Sequence, residues 1–103
     1  MDGVGLPEEC EGRRHVYHIY AVRVADRPGF REFLDARGVS TGIHYPHPVH
    51  LLDAYRGLGH GAGDFPEAER AASEVVSLPM YPEMTEQHVR TVADAVKEWV
   101  LRR

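Results

Sequence analysis

From Thr85 onward, Val89, Val92, Ala93, Val96 and Val100 recur at i, i+3, i+4, i+7 and i+11. That period belongs to an amphipathic α-helix, whose apolar stripe has to be covered by another layer. Thr85 stands where a side-chain oxygen can accept one of the free N–H groups of the first turn. A covering layer is available in residues 15–24, HVYHIYAVRV, which are dense in β-branched and aromatic side chains. Val16, His18, Tyr20 and Val22 alternate there with Tyr17, Ile19, Ala21 and Arg23, which predicts a strand covered on both faces.

Other local signals fill in the order. Asp26 caps a helix over residues 27–37, with Pro28 in its first turn, Phe30, Phe33 and Leu34 as its apolar stripe, and Gly38 as its stop. Residues 39–45 read as a brief strand containing Gly42, and residues 51–56 as a short helix. Gly57, Gly59, Gly61 and Gly63 mark a flexible surface loop. Asp64 and Pro66 open a helix reaching about Val76, and residues 77–80 form a last strand, stopped by Pro79 and Pro82. The expected fold is an α/β domain of the two-layer α+β kind. Its small sheet is three-stranded and mostly antiparallel or mixed, with helices mainly on one face. Residues 1–14 show no periodicity and carry three Gly, one Pro and three Glu, so they are expected as a flexible lead-in to a domain over residues 15–103.

Composition excludes several classes of function. The net charge is −4 and the 12 basic residues are scattered, so there is no basic stripe for nucleic acid or an acidic membrane surface. There is no apolar run of about 18 residues and no export signal, which makes a cytoplasmic chain the expectation. The lone Cys10 has no disulfide partner within the chain and is expected as a free thiol. Nucleophile elbows, Walker loops and the dinucleotide glycine pattern are absent, and the glycines at 57–63 do not follow a strong strand.

The residues richest in chemistry are His44, Tyr45, His47 and His50, set in a loop stiffened by Pro46 and Pro48. Three readings stand open. The loop is a plain rigid surface, or it holds a polar ligand through imidazole and phenol groups, or it is a metal- or anion-binding module. The spacing of three between His44, His47 and His50 would align them on one side of a polyproline-like backbone. Against a metal, no Cys or carboxylate lies nearby in sequence, and zinc ligands usually come from separated segments. His15 and His18 fall on opposite faces of the first strand and cannot pair. His18 is expected in the core or at an interface, and Tyr17, Ile19 and Tyr20 in packing.

Taken in order, HVYHIY over 15–20, GIHYP over 42–46, PVHL over 48–51, GDFPEAE over 63–69 and SLPMYP over 77–82 resemble the C-terminal part of the DegT-type sugar aminotransferases. These are pyridoxal-phosphate (PLP) enzymes that aminate keto-sugars attached to nucleotides. The resemblance covers residues 15–101. The stretch TGIHYPHPVH over 41–50, followed by Ala54 and Tyr55, resembles members acting on nucleotide-linked 3-keto-6-deoxy sugars. It implies the small C-terminal domain of a fold-type I PLP aminotransferase, with His44, Tyr45 and His50 close to the substrate for hydrogen bonding and orientation.

The family's cofactor domain, with its Schiff-base lysine, pyridine-facing acid and phosphate-binding turn, is expected before residue 1. Catalytic, cofactor-binding and metal-binding residues are therefore expected to be absent from this chain. Its only lysine is Lys97, inside the amphipathic helix, whereas a Schiff base needs a desolvated, positioned amine. No activity is expected of the chain alone. Met1 directly before the domain suggests a separately expressed or truncated piece, or a gene remnant. The implied partners are the nucleotide sugar in the intact enzyme and a large PLP domain or homologous subunit, to which this chain could also be a non-catalytic partner. Without that cover, Tyr17, Ile19, Leu78, Met80 and Tyr81 are expected to drive self-association, while Val89, Val92, Val96 and Val100 are spent on the core.

Overall fold

The computed structural model describes residues 3–102; Met1 and Asp2 of the expected lead-in, and Arg103, lie outside them. Helix α1 (Arg27–Asp35) starts where the Asp26 side chain accepts the Gly29 N–H at 3.1 Å. It ends at Gly38, whose φ of 78° allows its N–H to reach Asp35 O at 3.0 Å and the Val39 N–H to reach Leu34 O at 2.9 Å. This paired closure is a Schellman motif, and the burial of both Leu34 and Val39 supplies its apolar contact. Two short 3₁₀ helices follow, Val49–Leu51 and Asp53–Leu58, then α2 (Pro66–Glu74). The last helix, α3 (Glu86–Leu101), opens on a capping box in which Thr85 Oγ1 accepts from His88 N and His88 Nδ1 accepts from Thr85 N, both at 3.2 Å.

The sheet pairs β1 (Tyr20–Arg23) with β2 (Val75–Leu78) in antiparallel register, Val22 opposite Val76 and Ala21 opposite Ser77. On each outer edge one further residue is bridged: Gly5 to Arg23 and Gly42 to Ser77. The third strand expected over residues 39–45 is thus reduced to one bridge. Pro46 and Pro48 bring no N–H to a ladder, and the chain leaves the sheet just after Gly42. The first strand is shorter than expected because Tyr17 adopts φ 50°, which breaks the alternation. Its N–H turns to His15 Nδ1 at 2.8 Å and its ring stacks between those of His15 and Tyr20. His18, expected in the core or at an interface, is exposed and so is not a core residue.

One sheet face and the α1–α3 pair close the core, formed by Val22, Val24, Phe30, Leu34, Val39, Val76, Ala95, Val96 and Trp99. Trp99 meets Phe30 and Phe33 edge-on, at 5.6 and 5.5 Å between centroids. Val4 joins them at 2% exposure, so the opening stretch contributes a core residue. The stripe of α3 is rotated from the expected one. Val92, Ala95, Val96, Trp99 and Val100 face the core, while Val89 is 54% exposed. The indole of Trp99 is the largest apolar group on the helix and sets its rotation. Helix α2 stops at Glu74 and not at Val76, because Val75 and Val76 are taken by pairing with Arg23 and Val22.

Candidate functional site

The loop over residues 44–50 leaves the Gly42 bridge and crosses in front of the α2–β2 segment. At its first end, His44 Nδ1 lies 2.8 Å from Ser77 Oγ. Ser77 is a buried polar residue, and this is its side chain's one hydrogen bond among the described residues. The contact engages Nδ1 and leaves the other ring nitrogen, Nε2, for an outside partner. Gly42 makes room for the ring, since a Cβ there would meet His44 Cε1 at 3.0 Å. Tyr45 follows with 69% exposure, its ring edge-on to that of His44 at 5.3 Å; the peptide between them is cis. His47 is also exposed.

At the other end, the His50 side chain is only 7% exposed and its Nε2 sits 3.1 Å from Glu69 Oε2. Its ring packs against Phe65, 4.8 Å between centroids. Glu69 also accepts the Gly63 N–H, at 3.0 and 2.8 Å to its two oxygens, and the Phe65 N–H at 3.3 Å. The Gly63 N–H contributes most to holding the Glu69 carboxyl below the usual carboxylate range; its partial desolvation works against this, and His50 and Phe65 add to the lowering.

The three site residues expected from sequence are therefore not equivalent. His44 and Tyr45 stand side by side on the outer surface, whereas His50 turns inward. The even spacing of the histidines does not bring them together on one side, and among the described residues no group of three or more His, Cys, Asp or Glu is placed to hold a metal. Sequence reasoning gave no role to Ser77 or Glu69. A signal for Ser77 was present, as a single hydroxyl within the apolar strand VVSL. For Glu69 it was a carboxylate in the first turns of α2, just after a run of turn residues with free amides.

Residues fit to hold PLP are not found among these groups. Lys97 lies exposed on α3, in contrast to the desolvated amine that a Schiff base requires. A second surface feature is an apolar groove of about 400 Å³ lined by Leu6, Tyr20, Leu78, Met80, Met84 and Val89 among others. Met80 and Tyr81 at its side are 38% and 48% exposed. No helix among the described residues is long and apolar enough to cross a membrane.

Residues 2–97 match the DegT/DnrJ/EryC1/StrS aminotransferase family. A dTDP-3-amino-3,4,6-trideoxy-alpha-D-glucose transaminase of Streptomyces venezuelae is 42% identical over 102 residues, which are 99% of this chain and 27% of the relative. A pleiotropic regulatory protein of Geobacillus stearothermophilus is 41% identical over 98 residues, 95% of this chain and 26% of that one. Among solved structures, S. venezuelae DesV in complex with a ketimine intermediate matches with a TM-score of 0.89 at 43% identity, covering 94% of this chain and 26% of its own. The chain thus spans about a quarter of the length of the relatives it matches.

Proposed function

The chain belongs to the DegT/DnrJ/EryC1/StrS aminotransferase family, and on that premise we propose that it is the substrate-side C-terminal part of a PLP-dependent aminotransferase. Its substrate is a nucleotide-linked keto-deoxysugar, of the 3-keto-6-deoxyhexose type. The carrying observation is the display of His44 and Tyr45 on a loop held at both ends. His44 offers its Nε2 and Tyr45 its hydroxyl, outward and adjacent, as the orientation of a sugar requires. The S. venezuelae relative, whose name places an amino group at position 3 of a trideoxy sugar, supports the substrate class. PLP, bound by residues outside this chain, supplies the electron sink and the amino-group carrier. The present residues bind, orient and help to close over the sugar.

Alone, the chain does not transaminate, a reading supported by the exposure of its only lysine. After incubation with PLP and dialysis, no cofactor absorbance should remain; a retained band abolished by Lys97→Ala would overturn this. A chimera tests the substrate-side role: this chain replaces the corresponding quarter of the S. venezuelae relative. Transamination should persist in the chimera, and its complete loss despite correct folding and bound cofactor would sink the reading.

The apolar groove favours a second element of the same reading, that this face is covered by a cofactor-bearing polypeptide or, in its absence, by a second copy. A specific contact there would bury roughly 1,200 Å² or more in total. Light scattering at high concentration should show association, and a strict monomer would remove the self-association part.

A further inference from the structure

We propose that Glu69 is the positioning residue of the substrate-facing loop: from α2, one carboxylate fastens both the His50 end of residues 44–50 and the glycine-rich turn at Gly63. The geometry is a hub. Oε2 lies 3.1 Å from His50 Nε2 and 2.8 Å from the Gly63 nitrogen, and Oε1 takes the same N–H at 3.0 Å. The Phe65 N–H, which also reaches Oε2 at 3.3 Å, belongs to the residue whose ring packs on His50.

Besides these contacts, the His60 ring of the turn meets Phe65 edge-on at 5.0 Å. Residues 57–63 contain no buried residue, so water exclusion does not hold the turn. Asp64, next to the turn, accepts the Gly61 N–H and faces His60 at 3.8 Å. Glu69 as an anion is acceptor-only, so the His50 nitrogen facing it carries a proton. Because the far end of the loop is fixed on Ser77, releasing His50 frees the span that carries Tyr45 and His47 from one side.

The inference rests on the proposed function only for the word substrate. Its test uses the ¹⁵N-labelled 103-residue chain. In Glu69→Gln, an amide nitrogen replaces one acceptor oxygen, so amide exchange at Gly63 and Phe65 should accelerate about tenfold or more. The His50 ring should pass from a single Nε2–H form to a tautomer mixture, and the His44 and Tyr45 ring signals should shift. Unchanged exchange at Gly63, or unmoved His44 and Tyr45 signals, would overturn the proposal. His50→Gln provides the companion variant in case the first unfolds, as judged at the Val22 and Val76 amides. It should move the Tyr45 signals while leaving Gly63 exchange within about twofold, since Glu69 keeps its backbone donors. A Tyr45 ring unmoved by this variant also overturns the proposal. Should a dTDP-linked sugar leave Tyr45 and His44 unperturbed in the unsubstituted chain, the functional reading fails while the anchoring stands.

Discussion

Among the described residues, 20–39 and 72–100 contribute all but one of the buried hydrophobic side chains, whereas residues 40–71 contain no residue buried as a whole. The first region is held by exclusion of water from Val22, Phe30, Leu34, Val76 and Trp99, packed two helices deep on a sheet face. The loops of the second are held by prolines and by hydrogen bonds to side chains: His44 pairs with Ser77 and His50 with Glu69, while the Gly63 and Gly61 N–H groups donate to Glu69 and Asp64. A region with no core of its own can present polar groups outward without sacrificing packing. It depends for its shape on a few contacts, each modest in energy. The packed core and the polar loops are therefore separated along the chain, and the two regions meet at Ser77, which takes His44 by its side chain and Gly42 by its backbone.

This separation can be broken from either side. Phe30→Ala should have the largest effect, about 3–5 kcal/mol lost in urea unfolding, because it leaves a cavity under Trp99. A loss below about 1 kcal/mol would mean that the core does not lie where the α1–α3 pair places it. Ser77→Ala, at the junction, should cost about 1 kcal/mol and free the His44 ring, which a shift of its ring NMR signals would report. Acid acts on the loop region next. Since the folded Glu69 carboxyl titrates below its ordinary range, its contribution is complete above the unfolded value of about 4.3 and disappears as pH falls through the lower folded value. Gly63 and Phe65 amides should therefore loosen only below about pH 4, and Glu69→Gln should erase that dependence. Tyr45→Phe should change stability least, by less than about 0.5 kcal/mol. In the chimera it should raise KM several-fold with the melting temperature unchanged; a lowered melting temperature instead would assign Tyr45 to packing.

The sequence made both ends of α1 and the start of α3 legible because their causes are local: Asp26 and Thr85 are caps, and Gly38 is a left-handed stop. What escaped it depends on distant partners. Nothing near Val75 indicates that β2 begins there, since that is decided by pairing with Arg23 and Val22. The rotation of α3 follows Trp99 against Phe30, a contact that a period of apolar residues does not weigh. For the proposed site, residue type in a proline-rich loop marked His44, Tyr45, His47 and His50, and the family resemblance narrowed these to His44, Tyr45 and His50. Which of them face outward is settled by Ser77 and Glu69, 33 and 19 residues further along the chain from the histidines they hold.

The two single-residue bridges at the sheet margins have a consequence for solubility. In an antiparallel pair, alternate residues of each strand point their backbone groups away from the partner. On β1 and β2 these are residues 21 and 23, and 75 and 77. Gly5 occupies the groups of Arg23, Gly42 those of Ser77, and the Val75 carbonyl receives Arg27. Little unsatisfied strand is left to template a neighbour's backbone, which is the usual route to fibrous aggregation. Any crowding of these molecules should therefore proceed through side chains on the Met80 face, giving reversible and amorphous association that leaves thioflavin fluorescence unchanged.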